Sequence, residues 1–294
     1  MAREQRPLVF LGTPDAAATV LTALCDAGFP VAHVVTRPDA RRGRGTATSP
    51  SPVKDVAIDR GIEVSHDLGW FEERANPDAL GIVVAYGRII PARVLERCPM
   101  VNVHFSLLPR WRGAAPVERA ILAGDDVTGV CIMDLEETLD TGPVHACAEV
   151  AIRPDHTTSS LTSELADEGA RLLIEVLDAG LSSPVPQHGT ATYAHKIDTA
   201  ENRIDWSASA IDVDRRVRAL RAYSTIEGSR IKILSVRVDP RASVTGGVPG
   251  ACDSDARVVT GDGTIVLVEV QPEGKRAMPA LEWLRGRNGP TAFA

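Results

Sequence analysis

A doubly wound α/β domain followed by a small β-rich domain is the fold class this 294-residue sequence predicts. Three observations predict it. Short apolar runs alternate with amphipathic stretches through the first part of the chain. The length exceeds what one hydrophobic core usually serves. Past Trp206 the texture changes to short β-rich runs separated by Gly, Pro and Asp.

Residues 7–12, Pro-Leu-Val-Phe-Leu-Gly, are an apolar run closed by glycine, the form of a strand buried on both faces. Thr13, Pro14 and Asp15 then read as N-cap, first-turn proline and first-turn acid of a helix over 16–27 that stops at Gly28. Residues 31–36 form the next expected strand, and 53–60 a helix stopping at Gly61. Further strands are expected at 62–64, 79–85 and 100–104. Strands alternating with helices imply right-handed crossovers and a mostly parallel, Rossmann-like sheet. Ligands of such sheets bind beyond the carboxyl ends of the strands, where Gly12, Tyr86 and His104 fall.

Leu161, Leu165, Ala170, Leu172, Leu173 and Val176 have the spacing of one long helix over 158–177. Residues 182–190, rich in Pro, Ser and Gly, have the composition of a linker. The expected organisation is a first domain at 1–182, a linker at 183–203 and a second domain at 204–294. In the second, a helix over 210–222 precedes runs at 230–238, 257–259 and 264–270, the pattern of a small, OB-like β-barrel.

Composition narrows the class. With 44% apolar but 4% aromatic residues, the core is mainly aliphatic. No run approaches the ~20 apolar residues of a membrane span, and the start lacks the apolar segment of a signal peptide, so a cytoplasmic protein is the simplest expectation. The cysteines (25, 98, 131, 147, 252) are odd in number, scattered and without metal-ligand spacing, and read as small buried residues rather than a disulfide framework or zinc site. No metal is expected. A net charge of −7 gives no overall attraction for polyanions. From Ile204 onward, however, 13 Lys+Arg face 11 Asp+Glu, against 19 and 28 before it, so any polyanion is directed to the second part and to local basic loops. Neither Gly-x-Gly-x-x-Gly nor Gly-x-x-x-x-Gly-Lys-Ser/Thr occurs, which argues against a nucleotide-cofactor site.

The chemistry-bearing stretch is 101–113, Val-Asn-Val-His-Phe-Ser-Leu-Leu-Pro-Arg-Trp-Arg-Gly. On a strand, Asn102 and His104 share a face. An amide able to bind a carbonyl oxygen thus stands beside an imidazole able to carry a proton. Pro109 then ends the strand. Asp140 follows in Thr-Leu-Asp-Thr-Gly-Pro at 138–143, placed to orient His104. Taken singly, each of these is better read as a polar turn. Together they suit acyl transfer to an amine, which needs an oxyanion held and a proton moved but no covalent nucleophile. Between Arg37 and Lys54, five basic residues and one acid are interleaved with Gly and Pro. That loop is either solvated surface or a grip for phosphates.

The two motifs, in this order and spacing, resemble the formyltransferases that use 10-formyltetrahydrofolate, and the resemblance covers nearly the whole chain. It implies Asn102, His104 and Asp140 as catalytic residues. It implies a folate site at Tyr86, Gly87 and Ile90, in Val84-Ala-Tyr-Gly87 and beyond, and at Ser106, Leu107, Leu108 and Pro109. Arg41, Arg42 and Arg44 correspond to a loop that contacts the acceptor arm of a tRNA, where the family usually has further lysines and this chain has Thr46-Ala-Thr48. Ile204-Asp-Trp206 and 271–278 resemble a carboxyl-terminal module that helps hold tRNA, although the corner at 220–225 departs from the family's usual form. The implied activity is formylation of initiator methionyl-tRNA by a cytoplasmic monomer. A formyltransferase for an amino sugar nucleotide and a hydrolase of 10-formyltetrahydrofolate share the catalytic set and stand as alternatives.

Overall fold

The apolar run after Pro7 is the first strand, β1 (Leu8–Gly12), buried at every residue. The structure, a computed structural model, describes residues 4–41, 48–73, 78–181, 183–240, 247–287 and 291–294. The chain divides into two compact units, one of residues 1–116, 126–152 and 159–195, the other of 117–125, 153–158 and 196–294.

In the first unit, α1 (Asp15–Asp26) begins after an N-cap at Pro14, one residue later than Thr13. β2 (Val31–Val35) leads to a short hairpin of β3 (Ala40–Arg41) and β4 (Thr48–Ser49). Next come α2 (Pro52–Asp59), capped by Ser51 Oγ accepting from the Lys54 amide, then β5 (Glu63–Ser65) and α3 (Gly69–Glu73). β6 (Leu80–Val84), α4 (Ala92–Leu95), β7 (Met100–His104) and the two-residue β8 (Arg112–Gly113) follow. After α5 (Pro116–Ala123), nearly all of which belongs to the second unit, come two long strands, β9 (Val127–Asp134) and β10 (Val144–Ala151), and then α6 (Thr158–Asp178). The sheet order is β10-β9-β7-β6-β1-β2-β5. Its β1, β2, β5, β6 and β7 are parallel, and β9 and β10 add as an antiparallel hairpin beside β7. Gly12 pairs with Val84 and Val83 with Asn102, so three strand ends converge.

Residues 183–195 lie within the first unit rather than running free between two. Val185 exchanges both backbone hydrogen bonds with Val144, each 2.8 Å. β11 (Tyr193–Ala194) pairs in parallel with β8. Proline-rich composition announces an extended chain, but such a chain is equally able to lie along a neighbour.

The second unit holds a 3₁₀ turn (Thr199–Asn202), α7 (Ala210–Ala219), β12 (Tyr223–Ile226), β13 (Ser229–Val238), β14 (Ala251–Cys252), β15 (Arg257–Val259), β16 (Thr264–Pro272), β17 (Met278–Pro279), α8 (Ala280–Arg285) and β18 (Thr291–Ala292). The antiparallel order is β12-β13-β16-β15-β14-β18, with β17 against β16. Thr225 and Ala294 exchange backbone hydrogen bonds of 3.1 and 2.9 Å, which brings the residues after β18 back to β12 and curls the sheet into a barrel-like form. Trp206, Ile231, Ile233, Val258, Ile265, Leu267 and Trp283 fill its core. Buried Trp206 donates its indole N–H to Ser224 Oγ at 2.9 Å. Helix α7 stops at Ala219, where Leu220 is extended, short of the expected 222, so Arg221 lies beyond the helix that carries Arg215 and Arg218. Arg218 is committed within the unit, to Asp214 at 2.8 Å and to the His156 carbonyl at 2.9 Å.

The cysteines require a correction. Cys131 and Cys147 are directly opposed across β9 and β10, 4.2 Å apart at Cα, and form a disulfide. Cys147 is exposed, not buried. Sixteen residues of sequence separate them, and only the hairpin register makes them neighbours. Closing a loop of that size stabilises by about 3 kcal/mol. Cys147→Ser should lower the unfolding free energy by about that amount under oxidising conditions and leave it unchanged in excess dithiol, as read by denaturant titration. The thiols of Cys25 and Cys98 are pushed up by burial, and that of Cys252 up to about 12. All three should alkylate slowly at neutral pH.

Candidate active site

On β7, Val103 faces α6, where a Cβ on Gly169 would come within 2.8 Å of it. Asn102 and His104 therefore stand on the opposite face, about 6.6 Å apart along the strand. His104 is 6% exposed, with Nε2 3.0 Å from the Trp111 carbonyl oxygen. A carbonyl only accepts, so Nε2 carries the hydrogen and the ring orientation is set. Nδ1 lies 3.8 Å from Asp140 Oδ2, too far for a hydrogen bond but within ion-pair reach once the ring is protonated. The half-buried side-chain amide of Asn102 is hydrogen-bonded to none of the described residues.

Asp140 is buried, although residues 136–139 beside it are exposed. Its φ of 51° is left-handed, a conformation that Asp tolerates better than most residues. Oδ2 accepts the Gly113 amide at 2.7 Å, a charge-assisted bond that fixes the carboxylate beside His104. Gly113 has φ 126°, and a Cβ there would sit 2.6 Å from the Ala194 carbonyl oxygen. Gly113→Ala should therefore part β8 from β11 and shift the donor to Asp140. We expect a stability loss of about 1–3 kcal/mol and a fall in turnover; a variant with wild-type denaturation midpoint and kcat would contradict this.

The expected folate residues separate into two groups. Gly87 is exposed with φ 74°, with open space where a side chain would stand, and Leu107, Leu108 and Pro109 are half-buried. Tyr86 and Ile90 instead have core side chains, 2% and 7% exposed, packed with Val9, Leu11, Phe71 and Val94. Burial pushes the Tyr86 phenol above its ordinary range. Buried Ser106 spends its hydroxyl on the Arg110 carbonyl at 2.6 Å. These three side chains are thus turned into the unit rather than presented at its surface. Ile89, which sequence reasoning passed over, is 88% exposed between them. Arg41 belongs by its backbone to β3, opposite Thr48, while Arg42 and Arg44 lie outside the described residues. Also unanticipated are the Trp111 carbonyl, the Gly113 amide and Gln187, because two are backbone groups and the third comes from a segment with no periodicity.

Two family models match this chain, Formyl transferase over residues 6–177 and Formyl transferase, C-terminal domain, over 196–288. The methionyl-tRNA formyltransferase of Ruegeria pomeroyi is 44% identical over 296 residues, covering 95% of this chain and 96% of that protein. That of an Arthrobacter species is 42% identical, with 95% and 96% covered. Among solved structures, the N-formyltransferase of Helicobacter canadensis, in complex with folinic acid and dTDP-3-aminofucose, superimposes with a TM-score of 0.70 at 17% identity, over 92% of this chain and 100% of its own, a likeness of fold. The chain belongs to the formyl transferase family, within its methionyl-tRNA formyltransferase branch.

Proposed function

We infer that this chain transfers the formyl group of 10-formyltetrahydrofolate to the amino group of methionyl-tRNA. The observation that carries the reading is the 44% identity to a named methionyl-tRNA formyltransferase across both units, β-barrel included. The exposed backbone at Gly87 and the apolar surfaces of Ile89, Leu107 and Leu108 fit a flat ring system with polar edges. When bound there, the folate supplies a formyl carbon on nitrogen. Asn102 points its uncommitted amide N–H at the oxygen on which negative charge gathers. His104 accepts a proton from the attacking amine at Nδ1, because Nε2 already donates to Trp111. Asp140 stabilises the imidazolium so formed and holds its plane. His104 then returns the proton to the departing nitrogen. The three arginines of the 41–44 loop grip phosphates of the acceptor arm.

The test is transfer of labelled formyl to methionyl-tRNA, to a sugar-nucleotide amine, or to water. Formylmethionyl-tRNA as the dominant product supports the reading. Faster labelling of the sugar amine, or release of formate alone, overturns it in favour of the corresponding alternative.

A further inference from the structure

We propose that Gln187 is a positioning residue for the transfer, an assignment that rests on the catalytic reading of His104 and Asp140. Its half-buried side chain makes four hydrogen bonds, two to backbone carbonyls of the loop that carries Asp140 and two to the side chain of Arg112. Nε2 donates to the Asp140 carbonyl at 2.9 Å and to the Gly142 carbonyl at 2.8 Å. Oε1 accepts from Arg112 Nε at 3.1 Å and Nη2 at 2.6 Å. Arg112 lies between Trp111, whose carbonyl fixes His104, and Gly113, whose amide fixes Asp140. The carboxamide thus closes a ring that runs from His104 through Trp111, Arg112 and Gly113 to Asp140, and back through Gln187 to Arg112.

That ring matters because it adds two bonds on the loop backbone to the single Gly113 bond on the Asp140 carboxylate. Asp140 sits at a left-handed φ, and the flanking residues 136–139 are exposed. The Nδ1–Oδ2 separation of 3.8 Å is also longer than a hydrogen bond, so small loop movements change it directly. Gly142 is pressed against β9, where a Cβ would meet the Asp134 carbonyl at van der Waals overlap, so its own carbonyl is a fixed anchor for Gln187. No other common side chain offers a planar donor pair and an acceptor at this reach. Glutamate would keep the Arg112 contacts, strengthened by charge, but would turn an acceptor toward the carbonyls of Asp140 and Gly142.

The experiment compares Gln187→Met and Gln187→Glu with the wild-type chain. Three readouts are taken: thermal midpoint, steady-state kinetics over pH, and the pH titration of the His104 ring resonances by NMR without substrates. For both variants we expect kcat to fall by between about 10- and 100-fold, with KM for either substrate within about twofold. The acid limb of the kcat profile and the His104 titration should move together. Gln187→Glu should retain the thermal midpoint through Arg112 and still lose kcat, separating positioning from structural support. Wild-type kcat in Gln187→Glu, or His104 resonances that titrate as in the wild type in both variants, overturns the proposal. The NMR readout stands without transferase activity, so an inactive wild type would count against the functional reading while the ring titration still decides on Gln187.

Discussion

Replacing His104 with alanine is expected to lower kcat by roughly 10²–10⁴-fold, the usual contribution of a positioned acid–base group. The side chain is buried, held by the Trp111 carbonyl and facing the Asp140 carboxylate at 3.8 Å, and no other described titratable group stands on the same face of β7 beside Asn102. The role proposed for the ring is proton movement rather than folate contact, so KM for the donor should change little. Asp140→Asn is the companion measurement. Asparagine tolerates the left-handed φ and keeps an oxygen for the Gly113 amide, so it removes charge with little change of shape. Its kcat should lie between wild type and His104→Ala. Near wild-type turnover of His104→Ala, with the fold intact, would sink the mechanism.

The second large effect concerns the 41–44 loop. Removing one arginine–phosphate pairing should flatten the log-affinity against log-salt slope by roughly 0.7–0.9. Replacing Arg41, Arg42 and Arg44 together should therefore lower the slope by about 2–3, with affinity falling most at low salt. Folate binding should be unchanged. The contrast with an overall charge of −7 is the reason to expect a local grip rather than bulk attraction. Filter-binding titrations of methionyl-tRNA across salt concentrations decide the matter. A triple variant with the wild-type slope and affinity would return the loop to ordinary solvated surface.

The parallel half of the first unit was legible because fully buried strands read as apolar runs bounded by glycine. Leu8–Gly12 and Leu80–Val84 are buried at every residue. The hairpin of β9 and β10 was not, because β10 alternates weakly, with Ala146, Cys147, Ala148 and Glu149 carrying no clear apolar face. Missing that hairpin also hid the disulfide, since cross-strand register decides which cysteines meet. Asn102, His104 and Asp140 could be named because the roles proposed for them belong to side chains. Their supports could not, because a carbonyl and an amide have no letter in the sequence, and Gln187 lies between Pro186 and His188 in a stretch that composition marks as connection.

The placement of residues 183–195 bears on how the catalytic unit assembles. Arg112 and Gln187 are 75 residues apart, and the Trp111 amide finds Thr192 Oγ1 across 81. Such pairings form only after the intervening chain has been laid down, and closing them costs loop entropy that local elements avoid. A nascent chain ending at residue 182 would already contain Asn102, His104 and Asp140, together with the Gly113–Asp140 bond, but would lack the two hydrogen bonds from Gln187 to the Asp140 and Gly142 carbonyls. The full set of supports around His104 and Asp140 therefore extends to Ala194, sixteen residues past the end of α6 at Asp178, and is completed later in synthesis than the sheet that bears it.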